Sequence, residues 1–228
     1  MKANLPTTLR RAPAAFLALA SLCALAGCVT NPVSYDYTAF RQANPKSILV
    51  LPPVNESVDT KATHSVLAQS SKPLAEAGYY VLPVALVEET FQENGLTVPD
   101  EMHAVELTKL HEIFGADAVL YMKIKRYGAT YFVVGSATVV EAEGKLVDSK
   151  SGTLLWEGSA TASSQEGNNN SGGGIAGILL TAIIQQVISE VTDQSHGIAG
   201  IASERLLSVR QGNGMLPGPR HPSHSKGM

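Results

Sequence analysis

Residues 46–57 read KSILVLPPVNES. Ile48 to Leu51 is an uninterrupted apolar run closed by Pro52 and Pro53. A short run without polar alternation, ended by residues that cannot donate to a ladder, predicts a strand buried on both faces. Asn55, Glu56 and Ser57 then lie just past its carboxyl end, where open α/β sheets bind their ligands. The same three residues also suit a turn or a helix cap.

Helical and extended patterns alternate downstream. A helix is expected over about 61–77, broken or kinked at Pro73 and ended by Gly78. Tyr79 to Leu82 is a short strand, and Pro83 opens a helix reaching about Gln92. Ala104, Leu107, Leu110 and Phe114 share one face of a further helix that Gly115 ends. ADAVLYMKIKRYG, 116–128, supplies a third strand around Ala118–Arg126. From there the pattern is consecutive strands: a short one at Thr130–Val134, then Ser136–Asp148 and Thr153–Ala162 around the turn DSKSG. On the last arm, period-two alternation places Leu154, Trp156 and Gly158 together, with Trp156 as a core anchor.

SSQEGNNNSGGG, 163–174, reads as a polar glycine-rich loop. It lacks both the Lys-Ser/Thr of a phosphate-binding loop and a preceding strand with G-x-G-x-x-G. The next stretch, IAGILLTAIIQQVISEV, carries no charge before Glu190. Gly177, Thr181, Gln185 and Ser189 make a weakly polar stripe opposite a broad apolar face that includes Leu179, Ile183, Ile184 and Val187. That pattern predicts an amphipathic helix packing on the sheet or on a second copy; membrane contact is the lesser alternative, because the stretch is short for a span. Ser195 is the expected cap of a last helix reaching about Leu207, with Ile198, Ile201 and Leu206 inward. A disordered tail is expected from 209 onward, where Gly, Pro, His and Ser dominate.

At the other end, Lys2, Arg10 and Arg11 precede an uncharged stretch, Ala14–Ala26. A basic region, a short apolar region and a small-residue end are the parts of a secretory signal peptide. Cys23 falls inside it. Cys28 follows Leu25-Ala26-Gly27, which resembles the lipobox of bacterial lipoproteins. Cleavage between Gly27 and Cys28 would leave Cys28 as the lipidated first residue and lower the formal charge from −3 to −6. One acyl chain binds a membrane only marginally, whereas the three of such lipoproteins anchor it stably. By resemblance to enterobacterial sorting, Val29 after the cysteine points to the outer membrane. The expected organisation is a signal peptide over 1–27, a lipidated tether over 28–45, a domain over 46–208 and the tail over 209–228. Fully extended, the tether would reach about 60 Å, although Tyr35, Tyr37 and Phe40 are candidates to dock on the domain.

No catalytic constellation emerges. No further cysteine exists beyond Cys28, which excludes a metal or redox pair of thiols. Gly135-Ser136 and Gly158-Ser159 lack the second half of a nucleophile elbow. None of the histidines at 64, 103, 111, 196, 221 and 224 has H-E-x-x-H spacing, and His221 and His224 lie in the tail. Glu88, Glu89, Glu93, Asp100 and Glu101 concentrate acidity, as a solvated helix face and loop would. No basic run marks a nucleic-acid footprint. No cofactor, metal or nucleic-acid partner is expected.

The lipobox, YDYTAF, KSILVLPPVNES, FGADAVLYMKI, KLVDSKSGTLLWEGSA and the glycine-rich loop before an apolar helix together resemble one family. It is a group of uncharacterised Gram-negative lipoproteins typified by a neisserial surface-antigen candidate. The resemblance spans 28–207. The D-x-K-x-G-x-x-L-W hairpin is also similar to lipoproteins with a fold like the TolB N-terminal domain. The resemblance implies a mixed α/β, three-layer-like domain with two C-terminal helices, a homodimer, and a non-catalytic auxiliary role in ABC-type or other envelope transport. It also implies association with a curli-secretion-channel-like lipoprotein. The rivals are a regulator of peptidoglycan synthesis and a periplasmic hydrolase using Glu88 or Glu93.

Overall fold

A computed structural model describes residues 35–132, 135–166, 193–210 and 212–224. The first helix, α1, is Thr38–Ala43, and the first strands are β1 at Ser47–Val50 and β2 at Val54–Asn55. Helix α2 at Ala62–Glu76 leads to β3 at Tyr80–Val81. Three helices follow: α3 at Val84–Glu93, α4 at Pro99–His103 and α5 at Leu107–Phe114. Strands β4 at Ala118–Phe132, β5 at Gly135–Asp148 and β6 at Leu154–Ser163 come next, and α6 spans Gln194–Leu207.

The sheet is open and mixed, in the order β3-β1-β4-β5-β6. β1 is parallel to both β3 and β4, whereas β4, β5 and β6 form an antiparallel meander. Alternate residues of β1 enter opposite cores. Ile48 and Val50 join the larger core with residues of α2 and α6, while Leu49 and Leu51 join a smaller one with Val87, Phe91, Met102 and Leu110 of α3, α4 and α5. Helices therefore cover both faces around β1, as the apolar run predicts. Over β5 and β6 the second face is solvated and carries paired charges: Lys145 lies 3.7 Å from Glu157, and Lys125 3.8 Å from Glu143.

The two prolines interrupt the first strand without ending its pairing. β1 and β2 both run parallel to β4, but Val50 faces Leu120 and Val54 faces Lys123, so one extra residue is accommodated at the prolines. The carbonyls that leave the ladder find other donors. His103 Nε2 meets Pro52 O at 2.9 Å, and Thr63 Oγ1 donates to Pro53 O at 3.1 Å.

Several expectations are corrected. Pro73 neither breaks nor shortens α2, which continues to Glu76. It lies in the last turn, so one hydrogen bond is forfeited and little helix remains to redirect. The helix expected around 104–114 is found as α5 at Leu107–Phe114, preceded by a separate short helix, α4, that was not expected, and residues 130–132 of the short strand expected at 130–134 belong to a single long β4. β4 carries a bulge between Ile124 and Arg126, which re-phases the strand so that Tyr127 faces the larger core. A second irregularity lies between Leu146 and Val147 where β5 meets β6. There the alternation fails: Leu155 and Trp156 are both buried, while Leu154 is exposed. The cap of α6 is Asp193, whose carboxylate accepts from the amides of Ser195 and His196. Ile198, Ile201 and Leu206 do point inward. The apolar stretch 175–191, with Leu179, Ile183, Ile184 and Val187, lies outside the described residues, as do Gly27 and Cys28.

The two ends of the domain differ most from expectation. Tyr37 and Phe40 are buried in the larger core, so the folded unit begins at Tyr35 rather than at 46. The tail is ordered as well: residues 212–224 are seated on the domain, and Met215 is buried among the core residues. Its glycines and prolines let an extended segment pass close to the domain surface, while Met215 supplies the apolar anchor that offsets its ordering entropy.

Candidate functional site

Three places on the described surface gather polar or aromatic groups. At the carboxyl end of β2, the Asn55 amide donates to Asp59 O at 2.8 Å. Asn55 Oδ1 accepts from Ser57 N at 2.9 Å and from Ser57 Oγ at 2.7 Å. Asn55 and Ser57 thus close their own turn. Glu56 points the other way, to Lys125 at 2.8 Å and Lys123 at 3.7 Å. The hydrogen bond from Lys125 holds the Glu56 carboxyl below its ordinary pKa.

Between α2 and α6, a crevice of about 320 Å³ is lined by Lys61, His64, Ser65, Tyr127, Asp193 and His196. Ser65 Oγ lies 2.8 Å from His196 Nδ1, and Gln69 Nε2 lies 2.8 Å from His196 Nε2. With the amide donating, His196 carries its proton on Nδ1 and donates to the serine. A nucleophilic serine needs the opposite polarity, so the trio ties two helices together. Tyr127 O–H is buried beside Ser65 without a bond of normal geometry, and burial raises its pKa.

The acidic residues of α3 and α4 do not converge. Glu88 pairs with His64 at 3.4 Å, while Glu89, Glu93, Asp100 and Glu101 are exposed. Of the histidines, His64 and His196 line the crevice, while the others make separate contacts. His111 Nδ1 bonds Ala116 O at 3.1 Å, and His224 Nδ1 meets Pro217 O at 2.9 Å. No group of three metal-ligating side chains exists among the described residues. No helix of the described residues is long and apolar enough to cross a membrane.

The third place was missed in the sequence. Tyr37, Tyr79 and Trp156 come from α1's N-cap, the α2–β3 corner and β6, and each donates to a backbone carbonyl of the tail. Tyr37 O–H reaches Gly212 O at 3.1 Å and also Gly214 O. Trp156 Nε1 reaches Asn213 O at 3.0 Å, and Tyr79 O–H reaches Leu216 O at 2.6 Å. Farther along, the amide of Gly218 donates to Ala77 O at 2.7 Å, and that of Arg220 to Gly78 O at 3.1 Å. Gly78 has a φ of +92°, and a Cβ there would lie 2.3 Å from His221 N. The only cue in the sequence was Met215-Leu216, two large apolar residues in an otherwise Gly- and Pro-rich segment.

Fold and surface together define a mixed α/β domain with an open sheet, on whose larger core the segment around Tyr37 and Phe40 and the segment around Met215 pack together. The chain belongs to the GNA1162-like lipoprotein family: the model described as "Putative lipoprotein GNA1162-like" matches residues 35–220. The match starts at the docked N-terminal segment and runs through most of the docked tail, beyond the 207 at which the resemblance seemed to stop. The chain is 48% identical over 205 residues to "Putative lipoprotein NMB1124/NMB1162" of Neisseria meningitidis serogroup B, covering 90% of this chain and 94% of that one. It is also similar to the crystal structure of lipoprotein GNA1162 from Neisseria meningitidis. There the identity is 50% and the TM-score 0.52, over 64% of this chain and 100% of that one. A PelC dodecamer from Paraburkholderia phytofirmans matches at 17% identity and a TM-score of 0.38, over 70% of this chain and 93% of that one. At that distance it carries no functional argument.

Proposed function

We propose that the protein is an outer-membrane lipoprotein, anchored through lipid on Cys28, whose domain is a non-catalytic accessory in envelope transport, secretion or assembly. Membership of a lipoprotein family, matched over residues 35–220, is the observation that carries this reading. The lipobox-like Leu25-Ala26-Gly27-Cys28 then sits a few residues ahead of the matched region. The geometry adds a constraint on reach. Because residues from Tyr35 onward belong to one compact unit, a tether from Cys28 to that unit would reach at most about 25 Å if fully extended. So short a tether suits a domain that works beside its own membrane. It counts against a regulator that must cross the periplasm to a peptidoglycan synthase.

Glu88 pairs with His64 rather than joining Glu93, and the Ser65–His196 contact has the wrong polarity for a nucleophilic serine; both support a binding role over a hydrolytic one. The auxiliary transport role, the TolB-like relationship and the curli-secretion-channel-like partner rest on resemblance. The reading is tested in cells by lipid labelling and membrane fractionation. Cys28→Ala is expected to lose the label and release the domain, whereas Cys23→Ala retains both. A Cys28→Ala protein that stays labelled and membrane-bound would overturn it.

A further inference from the structure

Tyr127 carries a polar group that the fold leaves without use. Its ring belongs to the larger core with 6% of its surface exposed, yet its hydroxyl has no hydrogen-bond partner among the described residues. Phenylalanine would fill the same space without stranding a donor. The strand is also bent to bring the tyrosine there. Met122 and Ile124 face the larger core ahead of the bulge between Ile124 and Arg126. With regular alternation Arg126 would follow them inward, and Tyr127 would face the opposite side. Bulges that re-aim one side chain in this way recur beside functional sites.

Tyr127 lines the crevice of about 320 Å³ between α2 and α6, a volume at the lower end of small-ligand sites. Several of its neighbours there are already engaged. Ser65 and both ring nitrogens of His196 are tied to each other and to Gln69, and His64 leans on Glu88. Asp193 Oδ1 accepts from the first amides of α6. Its Oδ2 lies 3.8 Å from Lys61 Nζ, with the two side chains 44% and 74% exposed. That separation is too long for a hydrogen bond of normal length, so an acceptor and a donor share the crevice with the buried hydroxyl. Charge narrows the ligand further. Asp193 and Asp59 both act on the Tyr127 hydroxyl, while Lys61 is balanced by Asp193, so a phosphate or carboxylate would meet net repulsion. A metal ion would find no group of three ligating side chains among the described residues. A neutral hydroxyl has neither difficulty, because it accepts from Tyr127 or Lys61 and donates to Asp193.

We propose that the crevice between α2 and α6 binds an uncharged sugar ring, one of whose oxygens accepts from Tyr127 while a further hydroxyl bridges Lys61 and Asp193. The Ser65–His196–Gln69 set then holds the two helices that form the walls, and Tyr127 supplies the one buried polar contact. The site does not depend on the role assigned to Cys28.

The test titrates the full chain with glucose, with N-acetylglucosamine and with inorganic phosphate, followed by ligand- and protein-observed NMR. At least one of the two sugars is expected to bind at a single saturable site, and phosphate is expected not to. Tyr127→Phe is expected to weaken sugar binding about tenfold, the worth of one buried hydrogen bond. Its thermal midpoint should equal or exceed that of the parent, because only the stranded hydroxyl is removed. Lys61→Ala alters an exposed side chain, so it keeps the fold, and it is expected to weaken binding several-fold. Absence of saturable binding of either sugar would overturn the proposal, as would binding unchanged in Tyr127→Phe or in Lys61→Ala. A lowered midpoint in Tyr127→Phe would assign the hydroxyl to an ordered water and overturn it too. Phosphate bound in preference to both sugars would make the crevice an anion site instead.

Discussion

The indole of Trp156 occupies the space that a side chain at Gly158 would need: a Cβ there would lie 2.5 Å from Cζ2 of the ring. Gly158 pairs with Gly144 across β5 and β6, and a Cβ on Gly144 would meet the same ring at 3.4 Å. A ring this large can lie along its own sheet only where neighbouring positions lack side chains. Gly158→Ala is therefore expected to destabilise the domain by about 1–3 kcal/mol, the usual cost of overpacking. Gly144→Ala should cost less, because its contact is close to ordinary. Denaturant midpoints of the two variants check the order; equal midpoints would show that the ring moves freely.

This pair also marks what the sequence could and could not convey. Ile48–Leu51 announces a strand covered on both faces because its apolar run has no polar member, and the structure agrees. The β5–β6 hairpin is legible from DSKSG and its flanking arms. The phase of those arms is not, because the irregularity at Leu146–Val147 depends on pairing between strands and leaves no local pattern. The docking of the tail was hidden for a related reason. Gly212, Gly214 and Gly218 look like disorder by composition, yet close backbone approach also requires glycine, and only the location of Tyr37, Tyr79 and Trp156 separates the two meanings. The turn at Asn55–Ser57 was visible as one of two readings, and its internal hydrogen bonds satisfy the local one.

Asp193, rather than Ser195, holds the start of α6, because its Oδ1 accepts from Ser195 N at 3.1 Å and His196 N at 3.3 Å. Asp193→Ala is expected to cost about 1 kcal/mol of stability, the common value for a lost N-cap. Ser195→Ala should cost a few tenths of that at most. Its own amide, which the variant keeps, is what the cap requires. A larger loss from Ser195→Ala in thermal or urea unfolding would reverse the assignment.

The apolar stretch 175–191 supports a separate expectation about assembly. Leu179, Ile183, Ile184 and Val187 share a face in the sequence, and a face that broad is covered in a stable protein. If the cover is a second copy, Ile183→Asp or Ile184→Asp yields a folded monomer where the parent runs as a dimer in size-exclusion chromatography with light scattering. A folded dimer in both variants would end this idea.

His103 makes the stability of the domain depend on mildly acid pH. Its Nε2 is tied to Pro52 O at 2.9 Å, and its ring stands edge-on to Tyr121 with centroids 5.3 Å apart. Burial pushes its pKa below the ordinary histidine value, and this outweighs the opposing effects of the Pro52 carbonyl and Asp100. The unfolded chain therefore takes up a proton first as pH falls. The neutral imidazole's contribution is fully present above about pH 6.5, the unperturbed value, and is lost as pH drops through that value toward the lower folded one. Unfolding free energy measured by urea titration is expected to decline from pH 7 to pH 5. His103→Gln retains a donor for the Pro52 carbonyl but cannot titrate, so it should flatten part of that decline while lowering stability modestly at pH 7. An identical slope in the parent and in His103→Gln would assign the pH dependence to other groups.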